Sequence, residues 1–181
     1  MGWDPQKPEK RLFGRLLCAG ESNIDCDATA FLLNEKGVIA QKKDVVFFGR
    51  LTHDSGCVQH RGDNLTGDGD GDDEQIFIDL AHLPPQYQKI VIAAGIYQAD
   101  MRKQHFGMIK NAFIRLVDAD SGKELCVYNL SEKYGGMRSI IFGELYRRNG
   151  EWNFTALGQP LKEWSVADLA ARYGLRNSSW L

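Results

Sequence analysis

The sequence predicts an all-β chain: a β-sandwich of two mostly antiparallel sheets with long acidic loops and a short C-terminal helix. Three observations predict it. Short apolar segments rich in β-branched and aromatic residues recur along the chain. Turn residues punctuate them at Asn34-Glu35-Lys36-Gly37, Asp54-Ser55-Gly56, Pro84-Pro85, Asp120-Ser121-Gly122 and Asn149-Gly150. Clear helical periodicity is confined to one place near the C-terminus. Short strands at regular spacing each bury one face, and two sheets packed face to face satisfy them all.

In chain order, residues 5–23 are charged around a short apolar patch, Leu12-Phe13 and Leu16-Leu17, and read as an irregular loop or short helix. Strands are expected at Ala30–Leu33, Val45–Phe48, Ile76–Leu80, Ile90–Tyr97, Phe113–Asp118, Leu125–Leu130, Ser139–Arg147 and Trp152–Leu157. Asn149-Gly150 is the sharpest hairpin signal, because both residues tolerate the left-handed backbone that a tight turn between twisted strands requires. The helix falls at 165–174. Ser165 and Asp168 form a variant capping box, Val166, Leu169, Ala170 and Tyr173 share a face, and Gly174 stops it.

The chain has 181 residues, 43% hydrophobic and 25% charged, which fits a single domain spanning 1–181 with a sizeable core. The net charge of −2 points to neither nucleic acid nor an anionic membrane. No apolar run is long enough to span a membrane, and no signal-peptide pattern opens the chain. Cys18, Cys26, Cys57 and Cys126 form no C-x-x-C pair and read as reduced thiols of a cytoplasmic protein. His53, His60, His82 and His105 lack metal-ligand spacing and read as structural or solvent-facing.

Local charge is more informative than the total. Residues 63–74 hold six carboxylates and three glycines with no Lys or Arg. Two like charges about 5 Å apart repel by roughly 3 kcal/mol at an effective dielectric near 20. Such a loop needs solvent, basic partners or a cation. Its glycines, Gly69 among them, let the backbone turn and bring carbonyls inward. Carboxylates and carbonyls together are what Ca²⁺ requires; a solvated surface loop is the plainer alternative. Asp25 and Asp27, two apart, share one face of an extended strand. If that strand meets the loop, Asp25, Asp27, Asp63, Asp68, Asp70, Asp72, Asp73 and Glu74 converge, with Asn64 adding an amide oxygen. One Ca²⁺ takes six to eight oxygens, so this supply could serve two ions.

The loop is not an EF-hand. Counted from Asp68, the sixth position is Asp73 instead of Gly, the twelfth is Asp79 instead of Glu, and the flanks are not helical. An enzyme reading competes. Asp25-Cys26-Asp27-Ala28-Thr29 fits the D-x-D-x-T nucleophile motif of haloacid-dehalogenase-type phosphatases, and 69–73 superficially fits their later magnesium motif. The Asp25/Asp27 pair would then serve a metal-dependent phosphate-ester hydrolase. That family needs a parallel sheet with crossover helices, and no helical pattern separates the two motifs here. No spare His, Lys or Cys presents itself beside the acids except Cys26, which should face away from them.

The run from Gly62 to Glu74 closely resembles the signature of the TerD family of tellurium-resistance and general stress proteins. Gly2-Trp3-Asp4, Ile24–Ala28, Ala30–Leu33, Asn111–Arg115, Phe142–Arg147 and Trp152–Gly158 resemble it too. The resemblance implies a calcium-binding β-sandwich of the bacterial cytoplasm, usually with two ions, and no enzymatic activity follows from it. By the same resemblance the ligands are Asp25, Asp27, Asp63, Asn64, Asp72, Asp73 and Glu74, with Asp68 and Asp70 also eligible. The expected partners are calcium and other stress-response proteins. Cys26 stands where relatives usually have Leu. Relatives begin earlier, with a β-rich segment before Gly-Trp-Asp. Its absence is expected to leave a sheet edge open to self-association, unless residues 5–20 fold back over it.

Overall fold

A computed structural model describes residues 1–4, 24–62, 72–130, 134–163 and 165–176. The 5–23 stretch, the C-terminal tail and the loop residues Asp63, Asn64, Asp68, Gly69 and Asp70 lie outside the described residues. The strands are β1 (Gly2–Asp4), β2 (Cys26–Leu33), β3 (Val45–Val46), β4 (Val58–His60), β5 (Ile76–Ile78), β6 (Lys89–Ile96), β7 (Lys110–Val117), β8 (Glu124–Asn129), β9 (Ser139–Arg148) and β10 (Glu151–Leu161). Among the described residues two α-helices accompany them, α1 (Ala99–Arg102) between β6 and β7 and α2 (Val166–Arg172) after β10. Among the described residues every strand pairing is antiparallel. One sheet runs β10-β9-β6-β2-β3 and a second β1-β7-β8. A two-stranded ribbon, β4-β5, is a third sheet that the sequence did not announce.

Alternation along β2 explains the layers. Cys26 faces the space between the two larger sheets, where it joins Trp3, Ala94, Ile96, Ala112, Ile114, Ile140 and Phe142. Ala30 and Leu32 continue that face toward Val46, Val58 and Leu145. Phe31 and Leu33 point the other way, under Leu169 and Ala170 of α2. Covered on both faces, β2 is buried along its whole length. This is why it extends four residues before the expected start at Ala30: Asp27 and Thr29 interrupt the apolar pattern, yet both are buried.

The local signals at the C-terminal end are met. Asn149 and Gly150 both have positive φ, 54° and 84°, and join β9 to β10. Ser165 Oγ accepts from the Asp168 N–H at 3.0 Å, capping α2. Where β9 passes β6, Ile92 pairs Gly143 and Ala93 pairs Ile141, so Phe142 is an extra, bulged residue. A Cβ on Gly143 would lie 2.6 Å from both the Phe154 ring and the Thr155 carbonyl oxygen. The carbonyl is backbone and cannot swing aside, so Gly143→Ala should destabilise the fold by about 1–3 kcal/mol in denaturant melts. An unchanged midpoint would show that the β9–β10 hairpin can shift to make room.

A buried polar chain anchors the β3–β4 connection. Tyr87 donates its hydroxyl to Asp44 Oδ1 at 2.8 Å, and His53 Nε2 lies 3.1 Å from the same hydroxyl. His53 Nδ1 accepts from the Ser55 N–H at 3.1 Å, which places its proton on Nε2. Burial lowers the His53 pKa from its ordinary 6.5, outweighing the pull of Asp44 and Asp54 in the other direction. The fold therefore favours the neutral ring. Its contribution is complete above about pH 6.5 and declines as pH falls below that value, by at most about 1.4 kcal/mol per pH unit for one proton. Denaturant melts from pH 7.5 to 5.5 should show stability falling with pH, and His53→Gln should flatten that slope. Equal slopes in both proteins would assign the acid sensitivity elsewhere.

Candidate metal centre

The site forms where β2 runs out of neighbours. One edge of β2 pairs β6 throughout, from Cys26↔Ile96 to Leu33↔Lys89. The other edge meets β3 only at Ala30 and Phe31. The next outward N–H toward the N-terminus belongs to Ala28, and Glu74 Oε2 accepts it at 2.5 Å. A carboxylate thus takes the place of a missing strand. Glu74 is 1% exposed, and Asp25 and Asp27 beside it are each 7% exposed.

The residues before Glu74 are tied to other strands. Asp73 Oδ2 accepts from the Trp3 N–H at 2.8 Å, and Trp3 Nε1 donates to the Ile24 carbonyl at 3.1 Å. Met1 and Glu74 exchange two backbone bonds, of 2.7 and 3.0 Å. Asp72 is gripped side-on by Arg115 of β7, Nε to Oδ1 at 3.0 Å and Nη2 to Oδ2 at 2.9 Å. Burial alone would raise the Asp72 carboxyl, but the Arg115 hydrogen bonds and nearby positive charge more than reverse this and hold it below the ordinary carboxylate range.

Four carboxylates are near enough to act electrostatically on Cys26. Its thiol is raised well above the usual range, first by burial and then by the negative charges of Asp27, Glu74, Asp25 and Asp73. The thiol is therefore protonated and sits on the face of β2 opposite Asp25 and Asp27, as strand alternation requires. The carboxylates at this edge offer oxygens, which is the chemistry of a hard cation. Among the described residues no group of three or more His, Cys, Asp or Glu is arranged to hold a metal by itself. Any complete shell would have to draw on the loop donors Asp63, Asn64, Asp68, Gly69 and Asp70.

The phosphatase alternative does not survive the topology. Asp27 lies on β2 and Asp25 immediately before it, and both partners of β2 are antiparallel, whereas that chemistry needs a parallel sheet with crossover helices. The expectation that no histidine approaches the acids is also corrected: His60 Nε2 lies 3.5 Å from Glu74 Oε2, with its side chain fully buried. Local sequence could not show this, because His60 ends β4 and reaches Glu74 through the β4–β5 ribbon. Arg115 was visible only inside the family-like stretch, and nothing in the sequence linked it to Asp72.

A TerD domain model matches residues 1–173. The chain belongs to the TerD family. It is 47% identical over 173 residues to stress response protein SCP2 of Bacillus subtilis (strain 168), covering 96% of this chain and 86% of that protein. It is 40% identical over 178 residues to tellurium resistance protein TerD of Serratia marcescens, covering 98% and 86%. A solved structure of a homologue of telluride resistance protein TerD from Streptomyces coelicolor A3(2) superposes with a TM-score of 0.73 at 18% identity, over 91% of this chain and 89% of that one. That likeness concerns the fold alone. Among the described residues no helix of this TerD-family chain is long and apolar enough to cross a membrane.

Glu74 gives the site its structural test. Replacing it with Leu removes the acceptor of a buried backbone N–H, which costs about 1–3 kcal/mol. Glu74→Gln keeps a carbonyl oxygen at that place. Melts in chelator should therefore show Glu74→Leu well below the parent and Glu74→Gln close to it. Equal losses in the two variants would mean that charge, and not completion of the β2 edge, is what Glu74 supplies.

Proposed function

We propose that this TerD-family chain is a calcium-binding protein of the stress response and of tellurite or chemical-agent resistance. In this reading it works in the cytoplasm, as a module whose interactions with other stress-response proteins depend on calcium. The names of its relatives support the resistance and stress side of the reading. The calcium side is carried by one observation: Asp25 and Asp27 are buried next to Ala28, whose N–H is accepted by the buried carboxylate of Glu74 at the open edge of β2. Carboxylates this close repel by a few kcal/mol. A divalent cation offsets that repulsion.

The ion would be held by Asp25, Asp27, Asp73 and Glu74, with Asp63, Asn64, Asp68, Asp70 and the Gly69 carbonyl from the loop. That supply of oxygens is sufficient for two calcium ions, each taking six to eight. Magnesium is the poorer fit, because it demands near-ideal octahedral geometry and keeps its waters. What calcium supplies when bound is neutralising charge. The chain's part is to keep β2 covered and the carboxylates fixed, so that the acidic loop and both sheets are joined at one point.

Melting of metal-free protein tests the reading. Ligand binding only to the folded state at about 100 times Kd adds roughly 2.7 kcal/mol. The melting temperature should rise with calcium, fall with chelator and respond weakly to magnesium. Asp27→Asn should blunt the calcium response. A melting temperature that ignores calcium up to millimolar concentration would overturn the reading, and equal responses to the two ions would overturn the assignment to calcium.

A further inference from the structure

The three consecutive carboxylates Asp72, Asp73 and Glu74 are each tied to a different strand. Asp72 binds Arg115 of β7, Asp73 binds the Trp3 N–H of β1, and Glu74 binds the Ala28 N–H of β2. β7 and β1 belong to the three-stranded sheet, and β2 to the five-stranded one. The segment therefore crosses between the sheets. Its three side chains are not equivalent donors. Both oxygens of Asp72 are taken by one guanidinium, whose fork matches a carboxylate, and the Met1 ammonium lies a further 3.6 Å from Oδ1. Arg115 is itself held: Nη1 lies 3.3 Å from Glu124 Oε2 of β8, and the guanidinium sits 5.7 Å from the centroid of the Phe113 ring. A carboxylate bound on both oxygens to a fixed cation is a poor metal ligand, because the ion would first have to break that pair.

The geometry points to a positioning role for the Asp72–Arg115 pair: it is a strap that fixes Asp73 and Glu74 against the edge of β2 for the cation, and Asp72 is not itself a ligand. This rests on the calcium reading above and sharpens it, since Asp72 was expected among the ligands. Partners that orient ligands without touching the ion typically change metal affinity by about 10–100-fold when removed. A strap and a ligand differ in how their losses combine. If Asp72 acts only through Arg115, removing either residue has the same effect, and removing both adds nothing.

Calorimetric titration of metal-free full-length protein with calcium chloride decides this. The proteins are the parent, Asp72→Asn, Arg115→Gln, the double variant and Arg115→Lys. Each of the first two variants should weaken calcium binding by about tenfold. The double variant should be no weaker than either single one, the number of ions bound should be unchanged, and Arg115→Lys should recover part of the loss. A loss in Asp72→Asn that Arg115→Gln does not share, or a drop in ions bound, would make Asp72 a ligand and overturn the strap. Tighter binding by Arg115→Gln would make Arg115 a competitor of the ion and overturn it as well. If Arg115→Gln fails to fold in chelator, Arg115→Lys carries the same comparison with Asp72→Asn. Absence of binding heat in the parent would instead sink the calcium reading, and the strap's role toward the ion with it. Melts of the same variants in chelator would then show whether the pair is coupled at all.

Discussion

The rest of the structure depends on how the open half of β2 is closed. β2 lies inside the five-stranded sheet and is covered on both faces, so none of its backbone polar groups can be left to water. β3 closes its second edge for only two residues. Beyond that point Glu74 accepts the Ala28 N–H, and the chain after the acidic loop lies where a strand would. The position of the loop's C-terminal end is fixed by that bond together with the two backbone bonds between Met1 and Glu74. So is the approach of Asp73 to Trp3 and of Asp72 to Arg115, because these residues are adjacent to Glu74 in the chain.

Closing a buried strand edge with a carboxylate has an electrostatic consequence. Glu74 brings a negative charge beside Asp25 and Asp27, which strand alternation has already placed together. The Ala28 and Trp3 N–H groups donate to Glu74 and Asp73 and fix where these two carboxylates sit. Arg115 balances Asp72 at the far side of the segment. The site is thereby divided into a compensated end, facing the three-stranded sheet, and an acidic end, facing β2. On the calcium proposal the cation would take the acidic end, and structural and binding roles would fall on neighbouring residues of one short segment.

How much of this was legible in the sequence varies with the range of the interaction. Local signals were reliable. Asn149-Gly150 gave the β9–β10 hairpin and Ser165 with Asp168 gave the start of α2, because turns and caps are decided by a few adjacent residues. β2 is longer than its apolar pattern, since Asp27 and Thr29 are polar yet buried by tertiary packing that local sequence does not display. β1 was missed as a strand because three residues carry no periodicity and are extended only by pairing with β7. For the site, the i, i+2 rule placed Asp25 and Asp27 on one face with Cys26 opposite. The same reasoning could not separate Asp72 from Asp73 and Glu74, which look alike in sequence. Their difference lies in Arg115 and Ala28, each more than forty positions away.

This division decides how substitutions at the segment should be interpreted. Removing Glu74 changes both the closure of β2 and the charge offered to a cation, so a lost calcium response in that variant cannot by itself identify a ligand. Asp27 is the cleaner probe. Its backbone lies within the β2–β6 ladder, paired with Gly95, and Asn preserves the size of its side chain. Asp72 lies between these cases: on the strap proposal its loss would touch the cation through Arg115, and it touches the folded state through the same pair. Stability in chelator measures closure and strapping without the ion, and the increment on adding calcium measures the ion alone. Only when the two are measured separately does a change at any of these three carboxylates report on what that residue does.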